Sequence, residues 1–476
     1  MREDIVAVSL SVFPFATPYD PSKDPATSVD PVGTTSLAER LADLVLPGFT
    51  ARMWRARFLT FSAVASHVAR KAADLAGQDD AFDTARLAFE RLYVSALVQC
   101  ATNDTELAGG IRRTPGTDRA RQAFARGEPL TRANFIKGQS VNGPTGVMAR
   151  LARNLRLVDD ENHLDTMGQE LILAWSKDEE LVGVLEGKKE AGDGGAWLSQ
   201  MATGARDAVK GTWPGKQSSL WNALASRLRP DRIGKQERKT LHKLLSADSS
   251  GLRDRVLRLL IESVGTYNDG IGEGRSVVER TVIQDGVRPH LNVKTNEADR
   301  VLDILFATIE VHEECSSLLL GAFDTVRWAL SSKGTLTEAQ ILADKTAAKN
   351  LERVRKALAK EVANLDAAIE RVDGEPAIDR QIIAPLRQMR SDVVAACASS
   401  PALLSTLLDR HERVQKEKGK GDWIERGPKL TLMPSFGFTD DPPWYSGLYL
   451  HPFRVTNAYA MLGELGVVKV GQDEED

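Results

Sequence analysis

PLTRANFIKGQSVNGPTGVMARLARNLRLVDDENHLD, residues Pro129 to Asp165, holds the clearest local architecture in the chain. Pro144 suits a first helical turn, where its missing N–H would go unpaired anyway, and Asn142 is placed to cap it. Val147, Leu151, Leu155 and Val158 then recur at spacings of four, four and three, the signature of one helical face. Arg150, Arg153 and Arg156 fall on the other side. The helical period gives way at Leu157-Val158, which opens a short strand. Asp159 to Asn162 is a polar turn, His163 to Asp165 a second strand, and Met167 to Trp175 resumes a helix. Helix, hairpin, helix is the ending of a winged helix, whose second helix enters the DNA major groove. The plainer readings are an arginine-bearing solvated face or a protein-docking module. The wing is acidic, and acids repel phosphates.

The charge around this stretch favours a polyanion. Between Leu107 and Val158 stand ten basic residues, opposed only by Asp118 and Glu128. A local basic excess inside a near-neutral chain is the footprint of a phosphate-binding surface. Arg112, Arg113, Arg119, Arg121, Arg132, Lys137, Arg150, Arg153 and Arg156 are therefore the nucleic-acid-binding candidates, with double-stranded DNA as the expected partner.

Working outward, 476 residues allow several domains. The net charge of −4 excludes a wholly basic nucleic-acid coat. Cys100, Cys315 and Cys397 form no CxxC pair and no zinc spacing, which fits a reducing cytoplasm. MREDIVAVSLSVFPF is a poor signal peptide, and no apolar run is long enough to span a membrane. Residues 5–12 read as a strand and the proline-rich segment after it as an extended arm. Thr34 to Ser36 cap a first helix. From Leu44 to Ala73 there is no acid, and Arg52, Arg55, Arg57, Arg70 and Lys71 interleave with Trp54, Phe58 and Phe61. Such a mixture can stack on and neutralise a single strand. The helical spacing of Phe58, Phe61, Val64 and Val68 argues for core instead, with Arg55 or Arg57 paired to acids elsewhere.

Residues 1–105 thus form an arm and helical domain, and 106–186 the basic winged-helix-like unit. Residues 187–195 are a flexible boundary and 196–333 a central helical domain. Within it GTYNDGIGEGR, Gly265 to Arg275, is read as a loop at a helix end. No strand clearly precedes it and no GK[ST] follows, as a phosphate cradle would require. From Thr335 a long helix carries Leu351, Val354, Leu358, Val362, Leu365, Ile369 and Val372 at heptad-like spacing. A second helix through Ile378, Ile382, Leu386, Met389 and Val393 makes an antiparallel hairpin with it. A third runs from Pro401 to Lys418, closing a 335–418 bundle. Residues 419–476 are an aromatic, strand-containing segment ending in an acidic tail. The fold class is mainly α, multi-domain, with a winged-helix-like unit and a C-terminal helical hairpin.

No catalytic, metal or cofactor residue stands out. Glu186-Gly187-Lys188 with Asp178 has the local look of a metal-dependent nuclease, but Glu237-Arg238-Lys239 matches the same triplet inside a helix. His312-Glu313 lacks the second histidine of HExxH.

DPVG at Asp30–Gly33, LPGFTARMWRARF at Leu46–Phe58 and RNLRLVDDENHLDTMGQEL at Arg153–Leu171 resemble uncharacterised bacterial proteins encoded in anti-phage defence clusters. The resemblance covers about the first third of the chain and carries no catalytic motif. It implies a multi-protein, DNA-associated defence complex. The expectation is a cytoplasmic, non-enzymatic DNA-binding or adaptor subunit with protein partners and no membrane. Its rivals are a metal-dependent nuclease and a scaffold without DNA contact.

Overall fold

The computed structural model describes residues 30–186, 192–247, 251–438, 441 and 444–471. The 5–12 strand, most of the proline-rich arm, Lys188 and the acidic tail lie outside them. Among the described residues are 20 α-helices and one two-stranded sheet, so the fold is mainly α as expected. No helix there is long and apolar enough to cross a membrane. The described chain divides into two compact units, each assembled from non-contiguous sequence. Residues 40–307, 375–379 and 452–471 form the larger, and 30–39, 308–374 and 380–451 the smaller.

The larger unit is built around the helix Arg57–Ala76, buried on almost every side along its first three turns. A helix apolar all round belongs in the middle of a core. Phe82–Ala101, Pro144–Asn154, Thr166–Asp178 and Asp193–Val209 surround it. Phe61 stacks on Tyr93 with centroids 4.1 Å apart and on Phe89 at 5.8 Å. Phe58 and Phe61 are therefore core, not strand stackers. Gly77, at φ +66°, ends the helix in the left-handed conformation that a side chain would resist.

The helix Pro144–Asn154 begins where the proline placed it, but Asn142 does not cap it. Its side chain is turned to the Lys137 carbonyl and to Arg52. The cap comes from Glu90 on a neighbouring helix, which accepts the Thr145 N–H at 2.8 Å and the Thr145 hydroxyl at 2.6 Å. The expected hairpin shrinks to one antiparallel bridge, Val158 to Leu164. Asp159 explains the shortfall. Its carboxylate accepts the N–H groups of Glu161 and His163, at 3.0 and 2.8 Å, closing a side-chain turn that competes with a ladder. Helix, bridged turn and helix follow in order, without a multi-stranded wing among the described residues.

In the smaller unit the expected seam is present. Leu351, Val354, Leu358, Leu365 and Val372 are buried, and Val362 packs partly against them. The helix starts at Lys345 rather than near Thr335. Asp344 interrupts the run and caps the new helix through the N–H groups of Thr346 and Ala347, at 3.0 and 2.9 Å. Ile383–Cys397 packs on it, and Ser400–Glu417 packs on both. Ile424–Arg426 pairs with Leu430–Leu432 as the small sheet. Trp423 stacks flat on Phe436, centroids 4.4 Å apart.

Candidate anion-binding cleft

Trp54 lies just before the central helix of the larger unit, with guanidiniums over its ring. The Arg113 guanidinium carbon is 4.5 Å from the ring centroid and that of Arg275 is 5.7 Å away. The ring quadrupole attracts a cation placed over the aromatic face in this way. The segment leading to Trp54 is fixed by Asn457, whose amide donates to the carbonyls of Ala51 and Met53 at 3.1 and 3.0 Å. Asn457 also accepts from Arg275 at 2.8 Å. Arg275 reaches Glu279 at 3.4 Å, and Glu279 in turn takes the Phe453 N–H at 2.6 Å. The indole and the guanidinium are thus positioned by one continuous network.

Arg55 organises the other wall. It pairs with Glu464 at 2.7 Å and donates to the carbonyls of Gly110 and Arg112 at 3.4 and 3.3 Å. Burial pushes the Glu464 carboxyl above its ordinary range, and Arg55 pulls it back. Arg113 adopts φ +63°, an uncommon left-handed conformation for a side-chain-bearing residue. Strain of this kind clusters at ligand sites.

These groups line a cleft of about 1450 Å³ together with Arg112, Lys469, Gly272 and Gly274. Five basic side chains, Arg55, Arg112, Arg113, Arg275 and Lys469, face two acidic ones, Glu273 and Glu464, a net excess of three positive charges. Arg112 and Lys469 are exposed. Of the glycine-rich stretch expected as a loop from Gly265 to Arg275, residues 265–269 are helical, and the loop is the shorter 270–274 between the helices Val264–Asp269 and Arg275–Thr281, where it supplies one rim. Gly272 and Gly274 both have positive φ there, which lets backbone rather than side chain face the cleft.

Of the nine residues singled out from sequence, the structure brings Arg112 and Arg113 into this cleft. The other seven do not line it. Arg150 pairs with Asp43, Arg153 donates to Asn162 at 3.2 Å, and Arg156 pairs with Asp165 at 3.3 Å. The outward face of the proposed recognition helix is therefore largely engaged by its own neighbours. Arg121 pairs with Asp118 at 2.8 Å. Arg132 and Lys137 are exposed on the loop before Gly138, and Arg119 is half-buried on the helix Thr117–Arg126.

Trp54, Arg55 and the glycine-rich loop each stand out in the sequence, but nothing along the chain shows that they converge. Lys469 and Glu464 gave no signal at all. Of the nuclease residues, Asp178 is spent elsewhere, Glu186 is exposed, and Lys188 lies outside the described residues. Asp178 accepts the N–H groups of Gln236 and Glu237 at 3.1 and 2.8 Å, so it caps the helix Lys235–Ser246. Glu237 is buried against Arg57 and Thr60. Compared with family models, curated proteins and solved structures, the chain matches none, so the chemistry of the cleft rests on its own side chains.

Proposed function

We propose that the protein binds nucleic acid without acting on it chemically, through the cleft around Trp54. The observation that carries this reading is the convergence of Arg112, Arg113 and Lys469 on one recess whose lining has a net positive charge, with Arg275 held beside them by Glu279 and Asn457. Guanidiniums are the preferred partners of phosphate, because their fork matches two oxygens at once. The recess exceeds the roughly 300–1,000 Å³ of a small-ligand pocket. It is concave, whereas reading a duplex requires a ridge that enters a groove about 12 Å wide. A strand, a strand end or an unpaired segment fits this shape better than the body of a duplex. The resemblance to defence-cluster proteins extends the proposal to an adaptor subunit of a cytoplasmic bacterial complex. There the helices Lys345–Asp373 and Ile383–Cys397 and the aromatic segment would meet protein partners.

The test is fluorescence anisotropy with a short labelled oligonucleotide, single-stranded and duplex, between about 50 and 200 mM salt. Single-strand binding is expected to weaken with salt. Arg112→Glu combined with Lys469→Glu should cost about tenfold or more, since a hydrogen bond to a charged group contributes about 1.5–3 kcal/mol. Binding that ignores both the salt and the charge reversal would exclude the cleft.

A further inference from the structure

A second cluster lies in the smaller unit, where the sequence offered only half a motif. His312 and Glu313 are adjacent on the helix Glu297–Lys333. The histidine missing from their turn arrives from 138 residues beyond Glu313, as His451. His312 and Glu313 are 0 % exposed and His451 3 %. One donor atom from each lies within 4.8 Å of the other two. His451 Nδ1 is 2.6 Å from Glu313 Oε1, and His312 Nδ1 is 3.0 Å from the same oxygen. Glu313 Oε2 accepts the His451 backbone N–H at 3.0 Å, which fixes the carboxylate plane. His451 turns its far nitrogen to the Thr34 hydroxyl at 3.2 Å.

Both imidazoles aim Nδ1 at one carboxylate oxygen, Glu313 Oε1, so the three donor atoms face a common point. Two imidazole nitrogens and one carboxylate oxygen are a zinc donor set, with bonds of about 2.0–2.2 Å. A cation among the three facing atoms would take the place of the two Nδ1 protons, after the 2.6 Å edge opens by a few tenths of an ångström. The Thr34 hydroxyl then serves as the outer partner that orients a ligating imidazole. Asp30 is not a further ligand, because it holds the N–H groups of Thr34 and Thr35, each at 3.1 Å, and pairs with Lys418 at 3.3 Å.

We propose that His312, Glu313 and His451 bind one divalent transition-metal cation of the zinc class. The cation clips the Thr34 segment, the long helix and the segment ending at His451 together within this unit. Water completes the coordination.

The test uses the full chain. After purification and exhaustive dialysis, mass spectrometry should find about one zinc per chain, as a folding-linked site retains its metal. Chelation should lower Tm, and zinc but not magnesium should restore it, because magnesium prefers an all-oxygen shell. Cobalt added to the chelated protein should give visible d–d absorption from mixed nitrogen and oxygen ligands. His451→Gln should abolish the retained metal. His163→Ala, which removes a surface histidine 3.6 Å from both Asp159 and Glu161, should not. If the His451 variant does not fold, the cobalt spectrum of the wild type decides alone. Substoichiometric zinc without a cobalt band overturns the proposal, as does metal lost with His163→Ala, and the trio is then a hydrogen-bonded ion pair.

Discussion

Arg57 and Glu237 show what burial demands of a single charged residue. Arg57 is 1 % and Glu237 0 % exposed on the side chain, and they are paired, with Glu179 3.1 Å from the same guanidinium. Burial pushes the Glu237 carboxyl upward, and Arg57 works against that. Arg57→Met strands Glu237 and should cost about 3–5 kcal/mol in urea unfolding. Arg57→Met with Glu237→Met should recover much of the loss, since a buried pair replaced whole is often nearly neutral. The sequence led to the expectation that Arg55 or Arg57 pairs with an acid elsewhere. It did not show which, because Glu237 lies 180 residues away. Asp299 has the opposite sign of shift. Burial works to raise its pKa, but hydrogen bonds from Arg255 at 2.6 and 3.0 Å and from the Asn292 N–H at 2.8 Å outweigh it and hold the carboxyl below its ordinary value. A depressed folded pKa means that the ionised form stabilises. That stability is present above the unfolded pKa of about 3.9 and is lost as pH falls through the folded value. Asp299→Asn should therefore cost about 1.5–3 kcal/mol near neutral pH, and the gap to wild type should close in acid when unfolding is followed across a pH series.

Among the elements, those with a repeating apolar face were legible and those made by polar exchange were not. The helix Lys345–Asp373 follows its seam because each seam residue meets another helix every turn. Leu358 is 0 % exposed, and Leu358→Ala should cost about 2–5 kcal/mol by leaving a cavity. Lys360 on the exposed face should change stability by less than about 0.5 kcal/mol when replaced by alanine. Equal costs at the two positions in denaturant titrations would mean that this face is not the packed one. The start of the same helix was misplaced because Asp344 acts through its side chain, and apolar periodicity carries no record of caps. The hairpin at Val158 pairs as expected but stays short for the same kind of reason, a carboxylate taking N–H groups that longer strands would have used. Glu90 capping Thr145 from 55 residues away is beyond any local pattern.

At the scale of the whole molecule, a net charge of −4 means that a polyanion is attracted locally or not at all. Two distributions of positive charge compete for that role, and counterion release separates them. The cleft carries a net excess of three positive charges, and its members come from stretches near residues 54, 112, 275 and 469. Pattern along the chain could reveal each stretch but not their meeting, because no periodicity links residues so far apart. Binding of a single strand there should give a slope of log K against log salt of roughly −2, from about −0.7 per phosphate neutralised. The nine residues read from sequence would, acting together on a duplex, give a slope nearer −8, from about −0.9 per phosphate. Their ion pairs with Asp43, Asp118 and Asp165 argue that they do not act together. Anisotropy titrations at several salt concentrations, on both forms of the oligonucleotide, measure this directly. A shallow slope with single-strand preference, lost in Arg112→Glu with Lys469→Glu, assigns binding to the cleft. A steep slope on duplex that survives those changes and falls with Arg150→Glu and Arg153→Glu would return it to the helix Pro144–Asn154.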